Sequence, residues 1–183
     1  AEAAFPSWSN LSVEKRSEVL IRLADLIKSN SEALAQAETL DNGKPIKESR
    51  DVDIPLVAAH FFYYAGWADK LDYAGLGPNP QALGVAAQVI PWNFPLMMLA
   101  WKIAPALATG NTVIIKPAEL TSLTALLFAE ICLQAGLPKG VLNVVHGDKV
   151  IFYAILDHPA IAAVSFVGSS DIAHYVYSRG TAN

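Results

Sequence analysis

The chain has 183 residues, of which 53% are hydrophobic and 16% are charged, with a formal net charge of −4. This size allows one sizeable domain, and a charged fraction below the usual ~25% indicates surface that other protein covers. The acidic balance argues against nucleic acid or an anionic membrane as a partner, and no uncharged run of ~18 apolar residues could cross a bilayer.

Cys132 is the only cysteine, so an internal disulfide is excluded and a reducing, cytoplasmic location is expected. The four histidines show no metal-ligand spacing, and we expect no metal site. The 183 residues contain no signal-peptide pattern, the first residue is not Met, and the opening letters AEAAFPSWSNLS resemble the interior of a protein. The sequence therefore predicts an internal piece of a longer protein.

Residues 1–74 predict a helical segment. Ser12 is a suitable N-cap for a helix that ends at Asn30, with one face made by Arg16, Leu20, Leu23 and Ile27. Ser31 is a suitable cap for a second helix, with one face made by Leu34, Ala35 and Leu40 and an end at residues 42–43. A helical region follows over residues 47–71, where Pro55 predicts either a kink or a new helix start capped by Asp53.

Residues 75–183 predict a partial βα domain, which begins with a loop over residues 75–80. Residues 85–90 form a β-branched and small apolar run, typical of a strand buried on both faces. Pro95 suits the first turn of a helix that ends at residues 110–111, with an apolar stripe made by Met97, Met98, Trp101, Ala104 and Leu107. Residues 112–115 predict a second strand, which completes a βαβ unit.

The alternation continues to the end of the chain. A helix is predicted over residues 121–136, with its sheet-facing side made by Leu123, Leu126, Leu127 and Ile131. Strands are predicted over 141–145 and 162–167, and helices over 152–156 and 171–178. The expected fold class is therefore α/β: N-terminal helices followed by a doubly wound parallel sheet, incomplete in this chain.

Three places at the carboxyl ends of these strands carry candidate chemistry. The Asn93 amide, aimed at a developing oxyanion, can lower a barrier by ~3 kcal/mol, although an Asx turn before Pro95 is the simpler interpretation. The Glu119 carboxylate near Lys116 can accept the hydroxyls of an adenosine ribose and would repel a 2′-phosphate; a surface ion pair is the alternative. Gly168 and Ser169 open a helix whose free N–H groups form an anion site, unless Ser169 caps that helix.

The letters PWNFP, a helix and then KPAE, in this order and at this spacing, resemble the aldehyde dehydrogenase superfamily. The segments LSVEKRSEVLIRLADLIKSN and ETLDNGKPIKES resemble the N-terminal helices of the same family. The resemblance implies a Rossmann-like domain that binds NAD, with NADP less favoured. It implies that Asn93 stabilises an oxyanion, that Lys116 and Glu119 bind ribose, and that Gly168 and Ser169 meet the pyrophosphate.

The resemblance also implies roles for neighbouring residues. Gly147 ends its strand at a similar level, and Val89, Ile90 and Trp92 correspond to residues that line the cofactor beside the nicotinamide, with simple core packing as the alternative. Lys102 lies in a segment like the family's WK, where some members use the lysine in proton relay; a solvated lysine is the alternative.

The family's catalytic cysteine and general-base glutamate lie beyond this chain, so a catalytic domain is expected to be absent from it. Cys132 lies inside a helix among core residues, where a thiol is inert. The first hypothesis is a fragment of an enzyme that oxidises an aldehyde to a carboxylic acid with NAD through a cysteine thioester. Whether the chain by itself is an enzyme stays open.

Two alternatives remain. Residues after about 148 look like the CoA-dependent methylmalonate-semialdehyde dehydrogenase branch, whereas the first 147 look like the hydrolytic branches, which a natural intermediate or a joined, chimaeric sequence would explain. One alternative function is therefore a fragment of a CoA-acylating semialdehyde dehydrogenase. The other is a non-catalytic nucleotide-binding or scaffold module. Homo-oligomerisation is expected for the complete enzyme, although the short loop at residues 75–80 replaces a longer segment that in most of the family forms an oligomerisation arm.

Overall fold

The computed structural model describes residues 1–181; residues 182 and 183, the end of the predicted domain 75–183, lie outside the described residues. The helices are α1 (Phe5–Ser9), α2 (Val13–Ser29), α3 (Ser31–Asn42), α4 (Ile46–Glu48), α5 (Ile54–Ala65), α6 (Pro95–Ala108), α7 (Leu123–Gln134), α8 (Lys149–Asp157) and α9 (Ser170–Gly180). The strands are β1 (Val85–Val89), β2 (Thr112–Lys116), β3 (Leu142–Val144) and β4 (Ile161–Phe166). Short 3₁₀ turns cover Glu2–Ala4 and Leu71–Ala74, and a π-helical segment, Ser49–Asp53, precedes α5.

The predicted helix ends are confirmed where local chemistry sets them. The Ser12 hydroxyl accepts a hydrogen bond from the Lys15 N–H at 3.4 Å and caps α2. Gly43 ends α3 in the left-handed conformation, at φ +85°, which glycine adopts more readily than residues that have a Cβ. Pro55 lies in the first turn of α5, directly after the π-helical segment, so the predicted interruption takes the form of a change of helix type and not of a break in the helical backbone.

Two predicted caps, Ser31 for α3 and Asp53 for α5, are wrong. Ser31 is the first residue of α3, and Asn30 occupies the N-cap position without a side-chain capping bond. Asp53 occupies the N-cap position of α5, but its carboxylate accepts from the Lys44 ammonium at 2.6 Å instead of capping the helix. The predicted helix over residues 47–71 also ends earlier, at Ala65.

The four strands form one parallel sheet in the order β3-β2-β1-β4. Val89 at the end of β1 lies opposite Lys116 of β2 and Phe166 of β4. Strands β2 and β3 are added in turn on one side of β1, and the chain then crosses over to place β4 on the other side of β1. Such a change of direction creates a crevice at the carboxyl ends of the strands.

Helices cover both faces of the sheet, as a doubly wound fold requires. On one face a large core joins α2, α3 and α5 to α6 and α7, centred on side chains such as Leu23, Phe61 and Phe128 that are fully buried. On the other face α8 and α9 pack with Val89, Phe152, Leu156 and Val176. The N-terminal helices therefore share a core with the sheet, and the division at residue 74 stays a proposal.

Four residues predicted to face the core are exposed. Leu40 is 82% exposed because it lies six residues after Leu34, which places it on the opposite side of α3. Leu123 and Leu126 are 39% and 45% exposed because the buried stripe of α7 is shifted to Thr124, Phe128 and Ile131. Trp101 is 46% exposed, and its ring lies 5.7 Å from that of His60 at the edge of the α6 stripe.

Within residues 1–181, no helix combines the length and the apolar composition needed to cross a membrane.

Candidate functional site

The carboxyl ends of the four strands bring the predicted site residues to one edge of the sheet. Asn93 follows β1, Lys116 ends β2, and Glu119 lies in the loop after it. Gly147 follows β3, and Gly168 and Ser169 follow β4. Because β1 separates β2 from β4, the turn with Asn93 lies between the predicted ribose and pyrophosphate positions.

Asn93 lies in the turn between β1 and α6 and is exposed. Among residues 1–181 its side-chain amide has no hydrogen-bond partner. The Asx-turn alternative is therefore wrong, and it would also lack a donor, because the residue two positions later is Pro95. A fixed turn with an unused amide donor can serve a negative charge that develops outside β1.

Three contacts from residues 38–44 hold this turn on both sides of Asn93. The Trp92 carbonyl accepts from the Asn42 side-chain amide at 2.6 Å. The Leu96 N–H donates to Glu38 Oε1 at 3.4 Å, and the Lys44 ammonium lies 4.5 Å from the centre of the Phe94 ring.

A buried charge cluster lies beneath the turn. Glu38 is fully buried, and Lys44 Nζ lies 3.7 Å from its Oε1 and 2.6 Å from Asp53 Oδ2. Burial raises the pKa of the Glu38 carboxyl, and the Thr124 hydroxyl, the Lys44 ammonium and the Leu96 N–H oppose this shift. Within the described chain neither Glu38 Oε2 nor Thr124 Oγ1 reaches a partner at normal hydrogen-bond geometry. One cation thus serves two carboxylates.

Lys116 and Glu119 form the ion pair that the sequence analysis gave as the alternative to ribose binding, and ribose binding stays a prediction. Lys116 is 5% exposed, and its ammonium donates to Glu119 Oε1 at 2.8 Å and to the Pro117 carbonyl at 3.1 Å. The hydrogen bond from Lys116 lowers the pKa of the Glu119 carboxyl, so Glu119 is ionised at neutral pH. The Glu119 side chain is 53% exposed, so the carboxylate is accessible to a ligand from the solvent side.

The glycines after β3 and β4 bring backbone close to neighbouring side chains. A Cβ on Gly147, which has φ +148°, would lie 2.3 Å from Ile151 Cγ1, and a Cβ on Gly168 would lie 2.4 Å from Phe166 Cζ. Ser169 occupies the N-cap position of α9, but its side chain makes no capping hydrogen bond. The capping alternative is therefore wrong, and the Ser169 hydroxyl is exposed beside the first N–H groups of α9.

The three residues predicted beside the nicotinamide differ in their surroundings. Val89 and Ile90 are 8% and 3% exposed and belong to the cores on opposite faces of the sheet. Trp92 is 64% exposed, so core packing does not explain it. Their contact with a cofactor stays a prediction.

Two side chains with reactive groups, Lys102 on α6 and Cys132 toward the end of α7, are buried. Lys102 is 8% exposed and donates to Ser165 Oγ at 2.6 Å, and burial lowers its pKa to about 8, so the solvated alternative is wrong. Cys132 is 2% exposed, which confirms its predicted place in the core, and burial raises the pKa of its thiol; its inertness stays a prediction. The described residues contain no group of three His, Cys, Asp or Glu side chains that could hold a metal ion.

No role was predicted from the sequence for Glu38, Asn42 or Lys44. One signal was available, because Glu38 follows Leu34 by four residues and therefore lies on the buried face of α3. Its contact with Leu96 spans 58 positions, which no local pattern could indicate.

Known proteins are similar to this chain in sequence and in fold. Residues 1–183 match the model of the aldehyde dehydrogenase family. Over 173 residues the chain is 46% identical to "aldehyde dehydrogenase family 2 member B4, mitochondrial" of Arabidopsis thaliana, covering 90% of this chain and 32% of that protein. The crystal structure of PnpE in complex with nicotinamide adenine dinucleotide matches with a TM-score of 0.93 and 40% identity, over 100% of this chain and 39% of that one.

The NAD⁺ complex of an aldehyde dehydrogenase from Bacillus cereus matches with a TM-score of 0.93 and 38% identity, over 100% of this chain and 39% of that one. The chain spans about a third of the length of the curated relatives it matches.

Proposed function

The chain belongs to the aldehyde dehydrogenase family, and on that premise we propose that it is the N-terminal helical and NAD-binding part of an enzyme that oxidises an aldehyde to a carboxylic acid. The observation that carries the proposal is the buried Lys116 ammonium held 2.8 Å from the accessible Glu119 carboxylate, at the edge of the sheet where open α/β folds bind ligands.

The residues present fit an anionic dinucleotide. The Glu119 carboxylate can accept both ribose hydroxyls, and its charge favours NAD over NADP because it repels a 2′-phosphate. The unbonded Ser169 hydroxyl and the start of α9 suit the pyrophosphate. NAD, when bound, supplies the hydride acceptor. The PnpE and Bacillus cereus proteins, both solved with NAD, support this assignment.

The chain's own residues would position and stabilise the reacting groups. Asn93 offers a neutral donor to the oxygen of a carbonyl as negative charge develops on it. Lys102, with its pKa lowered to about 8, can hold or release a proton near neutral pH at Nζ. The nucleophilic thiol and the general base would come from outside this chain, since its one cysteine is buried.

The wider setting belongs to the same proposal. We expect an aldehyde as substrate and a homo-oligomer as the working form of the complete enzyme. A reducing compartment such as the cytoplasm fits the single thiol, although the Arabidopsis relative is named as mitochondrial. A CoA-acylating outcome would be recognised by an acyl-CoA product when CoA is added to the reaction.

Calorimetric titration of the 183-residue chain with NAD, and separately with NADP, tests the cofactor site directly. We expect NAD to bind more tightly than NADP, and we expect Glu119→Gln to weaken NAD on the order of 10-fold while narrowing the difference between the two cofactors. Glu130→Gln, at a carboxylate on α7 away from the strand ends, is the matched control. Equal binding of both cofactors, unchanged by Glu119→Gln, would contradict the assignment.

A further inference from the structure

The C-terminal end of α3 and the residues after it contact both halves of the proposed site. We name residues 38–44 the α3 brace. We propose that the α3 brace is a positioning element for catalysis, with one side fixing the turn that carries Asn93 and the other fixing the start of the helix that follows Glu119. This inference rests on the proposed function and adds residues to which no catalytic role has been given.

One side of the brace contacts the turn that carries Asn93, through the side chains of Asn42 and Glu38. Asn42 donates to the Trp92 carbonyl at 2.6 Å, one residue before Asn93. Glu38 accepts from the Leu96 N–H at 3.4 Å, three residues after Asn93. Because the Asn93 side chain itself makes no hydrogen bond among the described residues, its position depends on these flanking contacts.

The cofactor side of the brace is formed by Asp41. Its Oδ2 accepts from the N–H of Leu123, the first residue of α7, at 2.8 Å. Ser122 occupies the N-cap position of α7 without a side-chain capping bond, so Asp41 supplies the cap from a different helix. Leu123 lies four residues after Glu119. The contact with Asp41 therefore anchors the end of the loop between β2 and α7, which carries the Glu119 carboxylate proposed to bind the ribose.

Glu38 connects the two sides. Its carboxylate lies at the first turn of α6, through Leu96, and next to Thr124 in the first turn of α7. Helix N-termini carry partial positive charge, and a carboxylate there is stabilised. Lys44 and Asp53 complete the cluster and limit its movement by a 2.6 Å ion pair.

Kinetics of the complete enzyme that contains this chain test whether the brace positions the site. If it does, variants on its two sides should change different constants, kcat on one side and the KM for NAD on the other. Asn42→Ala should lower kcat on the order of 10-fold with the KM for NAD changed less than about twofold, since the turn but not the ribose loop is released. Asp41→Ala should raise the KM for NAD about fivefold with kcat nearly unchanged. Asp41→Asn keeps a side-chain oxygen acceptor and should restore most of the NAD affinity.

Gln36→Ala is the matched control, because Gln36 lies on α3 before the brace, is exposed, and among the described residues its side chain bonds only to Glu32. Should Asn42→Ala not fold, Asn42→Asp removes the donor at the same size and tests the same contact. The proposal is supported if the Asn42 variants lower mainly kcat and Asp41→Ala raises mainly the KM for NAD. A loss of kcat without a KM change in both, or no effect in either, overturns it while leaving the proposed function intact. An unmodified enzyme that oxidises no aldehyde with NAD overturns the proposed function itself.

Discussion

Lys102 is a buried cation whose one hydrogen-bond partner among the described residues is neutral. Its ammonium donates to the Ser165 hydroxyl at 2.6 Å, and no acidic group lies within ion-pair distance in the part of the chain that the structure describes. The sequence could place Lys102 on α6 but could not show that it is buried. Its neighbour Trp101 faces solvent, and the contact that buries Lys102 is with Ser165 of β4, which lies 63 positions later in the chain.

This burial predicts a particular pH dependence of stability. The pKa of Lys102 falls from 10.5 to about 8 on folding, so between these values the unfolded chain binds more protons and the free energy of unfolding rises with pH. Lys102→Met should therefore be more stable than the wild type at pH 7, by on the order of 1–2 kcal/mol once solvent screening is allowed for. Urea denaturation of both proteins across this pH range measures the difference.

The advantage of Lys102→Met should disappear as the pH approaches 10.5, where Lys102 is neutral in both states. Lys15→Met, at an exposed position on α2, controls for the general effect of removing a lysine. A constant difference between wild type and Lys102→Met over the whole range would show that Lys102 is not desolvated.

At the scale of elements, α2 and the α3 brace hold opposite ends of the same two helices. Arg16 donates to the carbonyl of Ala108, the last residue of α6, and Arg22 donates to the carbonyl of Ala135, which ends α7. The brace carboxylates lie at the N-terminal ends of α6 and α7. Cations at C-termini and anions at N-termini both complement the helix dipoles, so the N-terminal helices orient the two crossover helices electrostatically.

Arg16 should contribute much more to stability than Arg22. Arg16 is 6% exposed and donates to the carbonyls of Ala108, Ser9 and Leu11, whereas Arg22 has a side chain that is 51% exposed. Arg16→Met leaves buried carbonyls unpaired and should lower the free energy of unfolding by about 2–4 kcal/mol, against less than ~1 kcal/mol for Arg22→Met. Chemical denaturation followed by tryptophan fluorescence measures both, and equal losses would contradict this account.

Local patterns predicted the elements well because each signal lies within one turn or strand. The Ser12 cap, the left-handed Gly43 and the runs that became β1 and β2 depend on neighbouring residues alone. The errors at Leu40 and Leu123 arose at helix ends, where a few apolar residues do not define which face meets the core. The α3 brace could not be predicted, because its contacts join residues 50 to 82 positions apart.

On the scale of the whole molecule, the chain combines a proposed cofactor site and the turn that carries Asn93 with a cysteine that is buried. Its fold class could be inferred from the alternation of apolar runs, and the place of the candidate site followed from the parallel sheet, whereas the strand order β3-β2-β1-β4 was not predicted. Its exposed aromatic side chains, among them Trp92 and Tyr73 at 64% and 85%, fit the low charged fraction and suggest surfaces suited to further protein.

The isolated 183 residues should therefore not oxidise any aldehyde with NAD. Cys132 is 2% exposed on α7, its thiol pKa is raised, and a thiolate is the species that attacks a carbonyl. A thiol reagent should leave native Cys132 unmodified and should label it fully in concentrated guanidinium chloride, while cofactor reduction stays at the background rate. Steady turnover that is abolished by Asn93→Ala, or by Cys132→Ser, would mean that this chain carries a complete active site. In that case the buried thiol would have to become exposed through an opening of α7, which hydrogen exchange of that helix would detect.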